Sequence, residues 1–304
     1  MMSHGRYLRH ALLVLAALGG YGVLAFAFQM PVWQREPDAV LKHEYHGAAM
    51  RAGQIIAVGG IEAQSVERFE IATRSWHAAA PLLAPRAFLG VTAAAGRIYA
   101  IGGILPPVDA MADVEALDEA GVWHRVAPLS MARNRLAAVT HDGLVYAIGG
   151  LSANQNVATV EAYDPRLDRW SRKADLPSAR HGHAAVSING RIIVLGGYGP
   201  GPLATVDAYD SATNQWQPRA PMPTPRGFLA AVVVDDMVYA IGGRLPGVAP
   251  VERYDPARDR WEVLPPLPAP RQRFAAVTDG RHVWLVGGED TARELWRLSI
   301  PPAR

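Results

Sequence analysis

The hydrophobic positions of this chain gather into short apolar runs that each stop at a pair of glycines. The runs read IIAVGG, IYAIGG, VYAIGG, IIVLGG, VYAIGG and VWLVGG, ending at Gly59–Gly60, Gly102–Gly103, Gly149–Gly150, Gly196–Gly197, Gly242–Gly243 and Gly287–Gly288. Consecutive pairs are 43, 47, 47, 46 and 45 residues apart. Runs this short, rich in Ile, Val and Tyr and bounded by turn residues, predict β-strands. The polar positions repeat with them. An acidic residue stands two before a large apolar one at Glu67/Phe69, Glu115/Leu117, Glu161/Tyr163, Asp207/Tyr209, Glu252/Tyr254 and Glu294/Trp296. Trp33, Trp76, Trp123, Trp170, Trp216 and Trp261 form a third column, and ten residues after them come His43, Arg86, Arg133, Arg180, Arg226 and Arg271. No segment between the strands has the periodicity of an amphipathic helix, which argues against β-α-β units.

The pattern predicts four strands per unit of about 45 residues. One such sheet cannot bury both of its faces alone, whereas radial stacking covers each sheet with its neighbours. The glycine pairs allow close strand approach, and the repeated Trp and Tyr supply large apolar area between units. The unit resembles the kelch repeat: Gly–Gly after an apolar strand, then V-E-x-Y-D-P, then Trp, then proline and arginine. The best match is residues 160–165 (VEAYDP) with Trp170 and Arg180, and the likeness covers residues 33–298. It implies an all-β fold, a six-bladed kelch-type β-propeller over residues 28–304. The last unit lacks its own Trp–x9–Arg, and Trp33 precedes the first unit in the same register. Residues 32–36 are therefore expected to supply the outer strand of the last blade and leave no open sheet edge.

Composition narrows the function. The chain is 50% hydrophobic, which is too apolar for disorder, and it contains no cysteine. Disulfides, thiol nucleophiles and Cys-ligated zinc are excluded, as is the cysteine-crosslinked tyrosine of copper radical oxidases on kelch propellers. No second domain is expected beside the propeller, so the resemblance to kelch adaptors of ubiquitin ligases is expected to stop at the propeller. Lys plus Arg is 30 against 28 Asp plus Glu, but residues 1–27 carry Arg6 and Arg9 and no acid, leaving 28 against 28. No nucleic-acid partner is expected from a neutral body. Residues 11–28 are an uncharged, mostly apolar run after a basic start, with small Ala25 and Ala27. This describes a secretory signal cleaved after Ala27 or an uncleaved membrane anchor. Both place the propeller outside the cytoplasm, periplasmic or secreted, or held at the membrane by that segment.

Acids and arginines that recur in every blade are expected to be structural, so function is sought where blades differ. In kelch adaptors, ligand contacts come largely from the residues after the repeat arginine, at the mouth of the central channel. Carried over by spacing, that ring is Glu44–Tyr45, Ala87–Phe88, Asn134–Arg135, His181–Gly182, Gly227–Phe228 and Gln272–Arg273. The candidate ligand-binding residues are Glu44, Tyr45, Phe88, Asn134, Arg135, His181, Phe228, Gln272 and Arg273. Arg135 and Arg273 lie three blades apart, as do Phe88 and Phe228, so each pair faces across the channel. Arginine forks suit carboxylate or phosphate, and aromatic faces suit sugar rings or apolar side chains. His181 and His183 alternate on an expected strand, but a third metal ligand is missing, so no metal and no cofactor is expected. The loops at 104–113, 151–159 and 198–205 leave little room for an enclosed cleft. The expected function is a monomeric, non-enzymatic module that binds a protein or carbohydrate ligand, with acidic ligands favoured. The alternative resembles the sialic acid mutarotases, which are six-bladed secreted kelch proteins. In that reading Glu44 or His181 handles a proton and Arg135 or Arg273 holds a carboxylate.

Overall fold

The computed structural model describes residues 32–61, 64–105, 110–245 and 250–300. The expected leader at residues 1–27 lies outside them. Among the described residues, no helix is long and apolar enough to cross a membrane.

Six four-stranded antiparallel sheets follow one another along the chain. Blade four shows the unit: Ala184–Ile188, Arg191–Leu195, Val206–Asp210 and Gln215–Arg219, paired in that order. The first strands of successive blades contact one another in a closed circle, so they line the axis. Blade six holds Ala275–Thr278, His282–Val286 and Leu295–Ser299, and its outer strand is Val32–Glu36. Trp33 lies opposite Leu298 and Arg35 opposite Trp296. The expected closure by the first strand is therefore the observed one. Glu36 secures it: its buried carboxylate lies 2.8 Å from Arg74 Nε of blade one and 3.0 Å from Arg297 Nε of blade six.

The repeated columns are the scaffold. Trp76, Trp170, Trp216 and Trp261 sit opposite Phe69, Tyr163, Tyr209 and Tyr254, with ring centroids 5.3, 5.2, 4.9 and 5.0 Å apart. Such pairs add roughly 0.5–1.5 kcal/mol beyond their area burial. Each indole also reaches back one connection: Trp123 donates to Ala80 O, Trp170 to Ala127 O and Trp216 to Ala174 O, at 2.8–2.9 Å. Buried ion pairs join the arginine and acid columns at Arg86–Glu115, Arg133–Glu161, Arg180–Asp207 and Arg226–Glu252, and a part-buried one does so at Arg271–Glu294. In blade one the pair is His43–Glu67, at 2.9 Å. Each arginine also satisfies backbone carbonyls; Arg133 Nη1 donates to Gly149 O and Thr159 O at 3.2 and 2.7 Å. Burial pushes the Arg133 guanidinium down to about 10, against the pull of Glu161, so it stays charged at neutral pH. These side chains occupy the sheets and are not available to a ligand.

The glycine pairs meet the start of the next blade. Gly102 and Gly103 have φ of 60° and 109°, and a Cβ on Gly102 would fall 2.4 Å from Arg133 O. Only glycine accepts both that conformation and that approach.

Candidate functional site

The residue two past each repeat arginine or histidine forms a collar at one end of the channel. Tyr45, Phe88, Arg135, Gly182, Phe228 and Arg273 all adopt left-handed backbone, with φ between 52° and 60°. That conformation costs a non-glycine residue roughly 1–2 kcal/mol, and here it aligns each amide with its neighbour. Phe88 N donates to Tyr45 O, Arg135 N to Phe88 O, Gly182 N to Arg135 O, Phe228 N to Gly182 O and Arg273 N to Phe228 O, at 2.7–3.2 Å. Backbone links thus run from blade to blade around the mouth.

The residue before each collar position is fixed differently. Asn134 and Leu151 exchange backbone bonds, as do Ala87 with Ile104 and His181 with Tyr198. Glu44 O, Gly227 O and Gln272 O accept from Ile61 N, Arg244 N and Glu289 N. The partner is always the residue after the glycine pair. That second set, with Tyr198 and Glu289 in it, is part of the mouth and was not picked out from the sequence, although its place after Gly–Gly marked it.

The cavity at the mouth has a volume of about 130 Å³. It brings together Tyr45, Phe88, Arg135, Phe228 and Arg273 of the expected ring, and beneath them His46, Leu89, Leu136, His183, Leu229 and Phe274. Glu44, Asn134, His181 and Gln272 do not line it; each is paired through its backbone with the residue after a glycine pair.

The two arginines are unequal. Arg273 lies between the Tyr45 and Phe228 rings, 5.0 and 4.9 Å from their centroids, and donates to Tyr45 Oη at 3.0 Å and Glu289 Oε2 at 3.1 Å. Arg135 lies 4.6 Å over Phe88, which stacks on Tyr45, and among the described residues it has no carboxylate partner. Burial, and then the charge of Arg273, lower the Arg135 pKa. Phe228 tilts over Gly182, where a Cβ would come within 3.0 Å of its ring. His181 stacks on Tyr198, with centroids 5.6 Å apart, and its Nδ1 lies 2.6 Å from Asn156 Oδ1. Burial and nearby Arg135 push His181 down to about 4, so it is neutral at pH 7.

The expected strand alternation of His181 and His183 does not hold. Gly182 takes a φ of 60° and the strand begins at Ala184. His181 packs on Tyr198 and Phe228, whereas His183 is buried beside Gly149 of blade three. Among the described residues no group of three or more His, Asp or Glu is placed to hold a metal.

Six radially stacked four-stranded sheets, tied by an arginine–acid pair in five blades and closed by the first strand, define a kelch-type β-propeller. The chain belongs to the Kelch-repeat family: residues 45–243 match the KLHDC2/KLHL20/DRC7 Kelch-repeats domain and residues 225–268 the Kelch motif. A solved structure titled "Structure of YjhT" has the same fold, with a TM-score of 0.75. The two chains are 16% identical, over 86% of this chain and 95% of that one. No curated protein matches this chain.

Proposed function

We propose that this protein is a binding module that acts outside the cytoplasm and grips an acidic group of a protein or glycan at Arg135. One observation carries the reading: a half-buried guanidinium, backed by Phe88 and without a carboxylate partner among the described residues, lines the mouth cavity. Arg273 serves it by position. Held by Tyr45, Phe228 and Glu289, it adds positive field and stiffens the opposite wall. The cavity of about 130 Å³ is well below the roughly 300–1,000 Å³ that encloses a small molecule. It admits the tip of a ligand, such as a carboxylate, while the remainder rests on the rim. This favours binding over the sugar-processing alternative, for which Glu44 and His181 would have to reach the substrate, and neither lines the cavity. The extracytoplasmic setting rests on the basic, then apolar, start of the sequence.

A charge-assisted hydrogen bond in such a place contributes about 1.5–3 kcal/mol, equivalent to roughly 10- to 150-fold in affinity. The test is calorimetric titration with N-acetylneuraminic acid, an oligo-aspartate peptide and neutral N-acetylglucosamine. An acidic probe is expected to bind, the neutral sugar is not, and Arg135→Ala should weaken the acidic probe at least tenfold. Equal binding of neutral and acidic probes, or an unaffected Arg135→Ala variant, refutes the assignment. Catalysed exchange of sugar anomers would instead establish the enzyme.

A further inference from the structure

Among the described residues, the other end of the same strands carries a histidine–serine polar chain at one seam, between blades three and four. His141 ends the first strand of blade three, Ala137–His141, six residues on from Arg135. The four steps from Ala137 to His141, at about 3.3 Å each, cover roughly 13 Å of the channel wall beyond the collar. The equivalent positions are Arg51, Ala94, Ile188 and Val234, so histidine here is not part of the repeat. Ser187, on the first strand of blade four, matches Met50, Ala93, Thr140, Val233 and Thr278. His141 is 3% exposed, and Ser187 is partly exposed.

The contacts fit a chain that runs one way. Ser211 Oγ donates to Asp142 Oδ2 at 3.1 Å, since an ionised carboxylate only accepts. With its proton committed, Ser211 Oγ accepts from His141 Nε2, 3.2 Å away. In the tautomer that carries its proton on Nε2, Nδ1 is an acceptor, and Ser187 Oγ, 2.9 Å away, is placed to donate to it. Asp142 Oδ2 itself lies 3.2 Å from His141 Nε2. The edge of the Tyr146 system, with ring centroids 6.0 Å apart, steadies the imidazole. The result is a serine whose proton faces a base, with a carboxylate behind the base to balance the positive charge that develops. Nucleophile, base and acid are recognised by these mutual contacts and not by chain order.

We propose that Ser187 is a histidine-activated nucleophile that reacts with small acyl esters entering the channel from the end opposite Arg135. Ser187 Oγ bonds to the ester carbonyl carbon while its proton passes to His141 Nδ1. The bond to the alcohol oxygen then breaks, and the departing alkoxide takes the proton from His141. The products are an acyl-serine and a free alcohol; attack by water, with the same base, returns the acid and Ser187. The inference is independent of the anion site at the mouth.

The test uses a fluorophosphonate probe on the full propeller, followed by intact mass and peptide mapping, with p-nitrophenyl acetate hydrolysis in parallel. Wild type should gain one adduct, on Ser187, with loss of fluoride. Ser187→Ala should abolish both labelling and hydrolysis; alanine already stands at the equivalent position in blade two, so the fold should tolerate it. His141→Gln should slow labelling at least 100-fold, the scale of general-base assistance, and Asp142→Asn should slow it less. Unfolding midpoints report whether each variant is intact. No adduct on wild type, an adduct on another residue, or undiminished labelling of Ser187→Ala overturns the proposal.

Discussion

Replacing His183 by leucine should stabilise the protein, and more so as the pH falls. Leu89, Leu136 and Leu229 hold the equivalent place in blades two, three and five. A Cβ on Gly102 would meet Leu136 Cδ2 at 3.3 Å, and one on Gly149 would meet His183 Cε1 at 2.8 Å, so the two side chains fill the same inter-blade space. Apart from a weak contact with the Ile148 carbonyl, neither ring nitrogen of His183 has a partner, and the residue is 6% exposed. An unsatisfied buried polar group costs about 1–3 kcal/mol at any pH. Burial, followed by the charge of Arg180, pushes the His183 pKa down to about 3. An unfolded histidine takes up its proton near pH 6.5 while the folded one does not, so folding stability falls as pH drops from about 6.5 towards 3. At pH 4.5 the two units below 6.5 correspond to about 3 kcal/mol. Denaturant titrations of wild type and His183→Leu at pH 8 and pH 4.5 measure both effects. The variant should be about 1–3 kcal/mol more stable at pH 8 and about 3 kcal/mol further ahead at pH 4.5. A variant less stable than wild type at pH 8, or an unchanged pH slope, would refute the reasoning.

Three further outcomes follow. Arg133→Ala strands the buried Glu161 carboxylate and should cost about 3–5 kcal/mol in denaturant titration; adding Glu161→Ala should cost far less than a second such loss. Glu36→Ala removes the carboxylate shared by Arg74 and Arg297. Both partners keep some exposure, so the loss should be about 1–3 kcal/mol, and limited proteolysis should show the first strand cut before any blade. Gly103→Ala imposes a φ of 109° on alanine and brings its Cβ within 2.8 Å of Ala87 O, so it should lower the unfolding midpoint by several degrees.

What could be read from the sequence is what repeats. A spacing such as Trp–x9–Arg recurs because each blade presents the same surface to the next, and this made the blade number, the closing strand and the structural standing of the acid and arginine columns legible. The collar was legible for the same reason, since Phe88, Arg135 and Phe228 hold one offset from the arginine. The inequality of Arg135 and Arg273 was not. It depends on Glu289 and Tyr45, which reach Arg273 from a loop and from the first blade, and no spacing encodes such contacts. The alternation drawn for His181 and His183 failed because Gly182 reverses the sign of φ between them. His141 was within reach of pattern reading: it stands where the first strands of blades one, two, four and five carry Arg51, Ala94, Ile188 and Val234.

Closure by the first strand also bears on how the protein is made. Gln34 and Arg297, bonded across blade six, are 263 positions apart in the chain. At about 5–20 residues per second, the ribosome separates their appearance by roughly 10–50 s. Throughout that interval the nascent ring exists with a gap, and its earliest strand offers unpaired backbone to any passing edge. Whatever holds residues 32–36 out of trouble until blade six emerges is as much a condition of the finished propeller as any contact within it.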